Sequence, residues 1–108
     1  MSQTARFFPQ ARTDLIDQAT YLAEKASPRV SQRFLTAAKE TADSLAAMPT
    51  KGRRWTSSRI EIKEEIRVWK VQGFPKILIF YRIDPDGISI IRLLHGAQDL
   101  PAHLEDFV

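Results

Sequence analysis

Three stretches of alternating side chains, separated by short turns, constrain this chain more than any other feature. They cover residues 66–71, 76–83 and 88–95 and read IRVWKV, KILIFYRI and ISIIRLLH. Alternation with a period of two is typical of β-strands. The intervening QGFP and DPDG stretches carry turn residues, and DPDG fits a type I turn followed by a left-handed glycine. The sequence therefore predicts an antiparallel meander of three strands.

Two helical segments precede the meander, and a short strand precedes them. The apolar run at 5–8 predicts the strand; Pro9 ends it and suits the first turn of a helix that reaches about Ala26. The Ser-Pro pair at 27–28 is a typical start for a second helix, which Pro49 ends. Apolar residues recur at helical spacing in both segments. Because so few residues join the helices, we expect an antiparallel helical hairpin.

The order β-α-α-β-β-β predicts an α+β fold in which the helical hairpin packs on one face of a mainly antiparallel sheet. A length of 108 residues indicates a single domain, 1–108. The segment 49–65 has no clear period and includes the basic residues Lys51, Arg53, Arg54 and Arg59, so we expect an exposed basic loop. A short extended piece at 60–62 is an open alternative within it. The tail at 98–107 is expected to add a turn.

Composition and charge limit the classes of function. The chain carries 16 Lys and Arg against 13 Asp and Glu, a net charge of +3 that favours acidic partners without choosing among RNA, DNA and protein. It has no cysteine and only two histidines, so we expect no disulfide, no metal site and no cofactor. No apolar run is long enough to span a membrane and no signal peptide is visible, which suggests a cytoplasmic protein.

The strand register decides where the arginines of the meander point, because neighbouring side chains alternate between faces. We predict that Asp84 pairs with Ile88 and that Val71 pairs with Lys76. The more apolar face should then lie under the helices. The opposite face should collect the aromatic and basic residues Arg67, Trp69, Phe80, Arg82 and Arg92.

This basic and aromatic set has two interpretations. A guanidinium beside an aromatic ring suits phosphate or carboxylate, so Arg67, Trp69, Arg82 and Arg92 are candidates for binding a target or RNA phosphates. Alternatively, the arginines lie on a solvated sheet face and pair with nearby carboxylates. The acidic candidates for that role are Glu64, Glu65 and Asp84.

His95 is the one candidate general acid near the meander. The predicted register points it toward the core side at the end of its strand. A structural role, bonded to a carbonyl or to a carboxylate such as Asp99, is the alternative. No serine or aspartate has a spacing that suggests a triad, and isolated glycines build no phosphate-cradling loop. From the residues alone we therefore assign no catalytic residue.

Several segments together resemble a known family. They are PQARTDLIDQATYLAE, RFLTAAKETADSLAAMPTKGR, IRVWKVQGFPKILIFYRI and IIRLLHGAQDL, of which the last two are the most specific. The chain resembles the ParE branch of the RelE/ParE superfamily, the toxins of type II toxin–antitoxin systems, and the resemblance runs almost end to end. The fold that it implies is β-α-α-β-β-β, the same order that the periodicities predict.

The resemblance implies two activities within the superfamily. RelE-like members cut mRNA on the ribosome with a basic cleft and an aromatic or basic ending, which the tail GAQDLPAHLEDFV lacks. ParE-like members are associated with inhibition of DNA gyrase. Where many relatives have an arginine before the Asp-Leu step, this chain has Gln98, which puts any role of that position in doubt.

We therefore expect a growth-inhibiting, plasmid-stabilising toxin that binds DNA gyrase and that a ParD-like or similar cognate antitoxin neutralises. One alternative is a ribosome-dependent endoribonuclease in which the arginines hold the phosphate and a glutamate or His95 moves the proton. Another is an inactive module that only binds antitoxin. The assembly is left open between a homodimer and a toxin–antitoxin hetero-oligomer.

Overall fold

The computed structural model describes residues 4–107 and confirms the predicted α+β architecture. Its strands form one five-stranded sheet in the order β1-β5-β4-β3-β2, in which only the β1–β5 pair is parallel. The elements are β1 Thr4–Phe7, α1 Pro9–Lys25, α2 Pro28–Ala47, a 3₁₀ turn at Pro49–Lys51, β2 Arg53–Arg54, β3 Arg67–Val71, β4 Phe74–Asp84, β5 Gly87–His95, α3 Leu100–Leu104 and a 3₁₀ turn at Glu105–Phe107.

The helical hairpin follows the start and stop signals of the sequence. The Ser27 hydroxyl accepts a hydrogen bond from the Val30 amide at 3.1 Å and caps α2, whose first residue is a proline. The buried Ser31 hydroxyl donates to the Ala19 carbonyl oxygen at 2.7 Å and ties α2 to α1. Phe34 and Leu45 of α2 are fully buried against the sheet. The pair of helices therefore covers one face of the sheet, as predicted.

A β-bulge changes the predicted register between β4 and β5. The turn pairs Asp84 with Gly87 rather than with Ile88, and Ile91 is then inserted between two ladder pairs. The pairs Phe80–Arg92 and Leu78–Leu94 form as predicted, but Arg82 lies opposite Ser89 rather than Ile90. Because the bulge absorbs one residue, Ile88, Ile90 and Leu93 all pack in the cluster under the helices, and Ile91 packs on the other face.

The register between β3 and β4 also differs from the prediction. The turn contains only Gln72 and Gly73, and the φ of +82° at Gly73 suits a tight hairpin. Val71 therefore pairs with Phe74 rather than with Lys76. A second irregularity follows, after which Trp69 pairs with Ile79 and Arg67 with Tyr81. Pro75 lies within this irregularity, where a missing amide donor is tolerated.

The predicted single basic face is therefore wrong. Arg67 and Trp69 lie on the helix side of the sheet together with Ile79 and Tyr81, whereas Arg82 and Arg92 lie on the opposite side together with Phe80. A slip of one residue between neighbouring strands was enough to separate the four candidates.

The face of the sheet away from the helices is covered as well. Its fully or nearly buried apolar strand residues are Val68, Phe80, Ile91 and Leu94. The loop between β2 and β3 supplies Trp55, whose ring meets Phe80 edge-on at 5.7 Å, and the tail helix α3 supplies the fully buried Leu104. The loop expected to be exposed is thus partly packed, and its extended piece lies at Arg53–Arg54 rather than at 60–62.

Tyr81 fastens the end of α2 to the sheet. Its fully buried side chain donates a hydrogen bond to the Pro49 carbonyl oxygen at 2.6 Å and accepts one from the Gly52 amide at 2.9 Å. A Cβ at Gly52 would clash with the Tyr81 hydroxyl, so the close approach requires glycine. Burial raises the pKa of the Tyr81 hydroxyl, which stays neutral and available as a donor.

Arg92 and Asp14 form a largely buried ion pair at the edge of the sheet, where β5 runs past the end of β1. The Arg92 Nε–Asp14 Oδ2 and Nη2–Oδ1 distances are 2.7 and 3.0 Å, and the side chains are 11% and 9% exposed. The same carboxylate accepts from the Leu93 amide at 3.0 Å, in place of a neighbouring strand. Arg92 Nη1 donates to the His103 carbonyl oxygen at 3.1 Å, so one guanidinium joins α1, β5 and α3.

Replacing Tyr81 with phenylalanine should lower the free energy of unfolding by about 1–3 kcal/mol, because the Gly52 amide and the Pro49 carbonyl would lose a buried partner. Urea unfolding measures the change. Tyr21→Phe is the matched control, since that side chain is 57% exposed and its change should stay within about 0.5 kcal/mol. Equal effects of the two substitutions would contradict the fastening role.

Asp14→Asn should destabilise the fold by about 3–5 kcal/mol, because it leaves the buried Arg92 guanidinium without a counter-charge. Asp17→Asn, one turn further along α1 on its exposed side, is the control and should change stability little. Thermal unfolding of both variants measures the difference. An Asp14→Asn protein as stable as the control would show that the Asp14–Arg92 ion pair does not stabilise the fold.

Candidate functional site

Arg67 is occupied by the chain itself. Its Nη1 donates to the Gly52 carbonyl oxygen at 2.6 Å and its Nε lies 3.0 Å from Glu65 Oε2. The hydrogen bond from Arg67 is the main reason why the pKa of Glu65 lies below its usual value. With its side chain only 16% exposed, Arg67 fastens the loop to β3 and offers few donors to a ligand.

Arg92 is similarly committed, through the Asp14 pair and the His103 carbonyl described above. All three of its guanidinium nitrogens have a hydrogen-bond partner within the chain. The structure thus places two of the three candidate arginines in roles that stabilise the fold.

Arg82 differs from both. Its side chain is 40% exposed, and its contacts with Glu64 at 3.6 Å and Asp84 at 3.5 Å are longer than ordinary charged hydrogen bonds. Its guanidinium carbon lies 5.2 Å from the centre of the Phe8 ring. Burial tends to raise the pKa of Asp84, but hydrogen bonds from Ser89 and Arg6 outweigh it and leave that pKa below its usual value. Asp84 is therefore ionised, and other donors already engage it.

Arg82 also lines a cavity of about 430 Å³, which we call the Arg82 cavity. It lies on the face of the sheet away from the helices, where Ile66 and Ile91 belong to the buried cluster. The lining residues are Phe8, Lys63, Glu64, Ile66, Arg82, Ile91 and Asp106. Its lining is thus partly apolar, with two basic and two acidic side chains.

His95 ends β5 opposite Ile77, and its contacts are local. Its Nδ1 accepts a hydrogen bond from the Ala97 amide at 3.0 Å, and its own amide donates to Gln98 Oε1 at 2.6 Å. Within residues 4–107, no hydrogen bond or ion pair joins His95 to Arg67, Arg82 or Arg92. These hydrogen bonds of His95 are those of a residue with a structural role. Its ring bonds to a backbone amide rather than to the carbonyl or the Asp99 carboxylate that we expected.

Asp99 and Gln98 both hold the tail. Asp99 forms a two-pronged pair with Arg59, at 2.8 and 3.2 Å, and caps α3 by accepting from the Ala102 amide. The hydrogen bond from Arg59 is the main cause of the lowered pKa of Asp99. Gln98, at the position where the resemblance suggested a missing arginine contact, instead binds the backbone of His95.

Trp69 contributes to a different surface, a groove between α2 and the β3–β4 hairpin. Two adjoining cavities of about 540 and 290 Å³ share Ala37, Glu40 and Gln72. The first extends toward the start of α2 and the second toward its end. We call the whole surface the α2 groove; its further lining residues are Arg29, Gln32, Arg33, Thr36, Thr41, Ser44, Lys51, Trp69, Gly73 and Phe74.

The α2 groove combines three apolar side chains, Ala37, Trp69 and Phe74, with basic residues at both ends. Lys51 Nζ lies 5.3 Å from the centre of the Trp69 ring at one end, and Arg29 and Arg33 lie at the other. Three cations thus line the groove against one carboxylate, Glu40, and none of these four side chains forms an ion pair within the described chain. The groove was missed from the sequence, although small residues and cations recurring along one side of α2 were its signal.

The edge of β3 beside the α2 groove is open. The two-residue β2 pairs only with Arg67 and Val68, so the outer side of Lys70 has no neighbouring strand within residues 4–107. The next outward amide, that of Gln72, donates to the Thr41 hydroxyl at 3.2 Å. A bound segment would therefore meet unpaired backbone as well as side chains.

Residues 4–107 also bear on metal binding and on membrane insertion. No group of three or more His, Cys, Asp or Glu side chains there is placed to hold a metal ion. No helix in that part of the chain is both long and apolar enough to cross a membrane.

Comparison with known proteins gives the family. Residues 5–100 match the family model described as "ParE toxin of type II toxin-antitoxin system, parDE". A solved structure described as "Chromosomal ParDE TA system from P. aeruginosa" is similar in fold, with a TM-score of 0.67 at 14% sequence identity over 86% of this chain and 95% of that chain. No curated protein sequence matches the chain significantly. Because the family model covers nearly the whole sequence, the chain belongs to the ParE toxin family of type II toxin–antitoxin systems.

Proposed function

We propose that this chain is a toxin that arrests growth by binding DNA gyrase, and that its cognate antitoxin neutralises it by docking in the α2 groove. Membership of the ParE family implies the antitoxin as a partner. The gyrase target rests on the resemblance to ParE-like toxins, and within residues 4–107 His95 makes no hydrogen bond with the candidate arginines that would favour cleavage of RNA instead.

The charge of the α2 groove supports the choice of docking surface. Arg29, Arg33 and Lys51 have no ion-pair partner in the described chain, so an acidic segment would gain complementary contacts at both ends. Beside these cations, Phe74 and Trp69 are partly buried and offer apolar contact area. An amphipathic segment with carboxylates at its two ends fits this pattern.

The length of the groove is also suitable. From Arg29 to Ser44, α2 rises by about 22 Å at roughly 1.5 Å per residue. An antitoxin helix of about four turns would span the same distance. Within that span, the open edge beside Lys70 provides backbone groups for a flanking extended piece.

A second candidate function is cleavage of mRNA. The observation that favours it is the Glu64 carboxylate 3.6 Å from Arg82, because a glutamate beside a guanidinium can act as a base next to a bound phosphate. The contacts made by Arg67, Arg92 and His95 weigh against it, since two of the three phosphate-binding candidates are engaged and the histidine bonds elsewhere.

Charge reversal in the groove tests the docking surface. Arg33→Glu combined with Lys51→Glu should raise the Kd for the antitoxin encoded by the neighbouring gene by about 10- to 100-fold, because like charges then face each other. Isothermal titration calorimetry measures the affinity. Arg12→Glu with Lys25→Glu is the matched control, since it changes the net charge equally on α1. An unchanged Kd for the groove variant would place the antitoxin elsewhere.

A supercoiling assay with purified gyrase tests the target. The wild-type chain should inhibit supercoiling in proportion to its concentration, and its expression should raise the DNA-damage response while transcripts stay intact. Cleaved transcripts, restored to full length by Glu64→Gln, would establish the ribonuclease instead. Expression without growth arrest would indicate an inactive module that only binds antitoxin.

A further inference from the structure

We infer that the Arg82 cavity is the surface through which this toxin binds its cellular target. The part of the target that enters the cavity is a protein segment with a carboxylate next to an apolar side chain. This inference rests on the proposed toxin function but not on the identity of the target. It places target binding and antitoxin docking on opposite faces of one sheet.

The donors of Arg82 are the first reason. Arg59, Arg67 and Arg92 each make at least two side-chain hydrogen bonds inside the chain, whereas no hydrogen bond from the Arg82 guanidinium occurs within residues 4–107. A guanidinium carries five donors in a fixed fork that matches a carboxylate. Arg82 is therefore the candidate arginine whose binding capacity is still available.

The setting of Arg82 is the second reason. The Phe8 ring, 5.2 Å from the guanidinium carbon, supports the planar group from one side and limits its rotation. The side chain is held partly out of water at 40% exposure, where a charged hydrogen bond contributes more than on an open surface. Arginines in such settings are frequent anchors of protein interfaces.

The charge balance of the cavity selects the class of partner. Lys63 and Arg82 are opposed by Glu64 and Asp106, so the site has no net positive charge. A nucleic-acid backbone carries one charge per phosphate and would meet both carboxylates. A single carboxylate could displace the long Glu64 contact, and the side chain next to it would contact the half-buried Phe8 ring, since Ile66 and Ile91 are each only 2% exposed.

The opposite position of the two surfaces follows from the sheet. Ile66 and Ile91 of the Arg82 cavity belong to the cluster on one face, and Trp69 and Phe74 of the α2 groove pack against the cluster on the other. A substitution in the Arg82 cavity should therefore impair target binding and leave antitoxin affinity unchanged.

Arg82→Ala tests the inference in cells and with purified protein. The amount of toxin needed for half-maximal growth arrest should rise about 30-fold, the loss expected when a hot-spot arginine is truncated. The Kd for the neighbouring-gene antitoxin and the melting temperature should match the wild type, because the two ion pairs of Arg82 are long and partly exposed. Arg12→Ala on α1 is the control and should arrest growth like the wild type.

Two further variants decide the result if Arg82→Ala lowers the melting temperature. Arg82→Lys keeps the charge and loses the fork, and Lys63→Glu reverses an exposed charge at the cavity rim; both should weaken growth arrest. A stable Arg82→Ala protein that arrests growth as the wild type does would overturn the inference. If Arg82→Ala is unstable, wild-type growth arrest by Arg82→Lys and Lys63→Glu would overturn it. The inference is also overturned if expression of the wild type cleaves transcripts and expression of the Arg82→Ala variant does not, because the cavity then binds a phosphodiester.

The outcomes also separate this inference from the proposed function. Growth arrest that depends on Arg82 while gyrase is unaffected would refute gyrase as the target and support the cavity. A wild-type chain that causes no growth arrest would refute the toxin function, and with it the target-binding role of the cavity. Gyrase inhibition that Arg82→Ala leaves intact would refute the cavity alone.

Discussion

The insertion of Ile91 into the ladder between β4 and β5 is the constraint on which the rest of this structure depends. Side chains of a strand alternate between faces, so one extra residue exchanges the two faces for everything beyond it. With the bulge, Ile90 and Leu93 both pack under the helices although they are an odd number of residues apart. Arg82 and Arg92 share the other face with Phe80 in either register, and Arg67 and Trp69 reach the helix side through the separate one-residue slip between β3 and β4. The bulge thus sets the distribution of the apolar residues of β5, and the β3–β4 register sets that of the basic groups.

Much of the chain's charge is used to hold elements together. Arg92 links the helical hairpin, the sheet edge and the tail through Asp14 and the His103 carbonyl. Arg67 and Arg59 do the same for the loop between β2 and β3. The sequence does not distinguish these arginines from Arg82. The structure does, because Arg59, Arg67 and Arg92 each donate at least two hydrogen bonds within residues 4–107 and Arg82 donates none there.

The sequence predicted the order of elements and the helical hairpin because these depend on local signals. Ser27 and Pro28 act within one turn of helix, and alternation acts within one strand. The register was missed because it depends on the whole sheet: QGFP accommodates either a longer loop or the two-residue turn that forms, and no local rule places a bulge at Ile91. The cover formed by Trp55 and Leu104 was missed for the same reason, since segments without a period give no sign of where they pack.

If the α2 groove binds the antitoxin and the Arg82 cavity binds the target, as we propose, the two roles lie on opposite faces of the sheet. The molecule measures 22 Å along its shortest axis, so a partner bound in the α2 groove lies near enough to hinder a much larger target at the Arg82 cavity without filling it. Neutralisation would then act through the bulk of the antitoxin, and the two binding energies could change independently.

Hydrogen–deuterium exchange of the free chain and of its antitoxin complex tests this arrangement most directly. Antitoxin docking in the α2 groove predicts slower exchange in α2 and at residues 69–74 on binding, with unchanged exchange at 63–66 and 104–106. Slower exchange around the Arg82 cavity, with α2 unaffected, would contradict the assignment of the two faces.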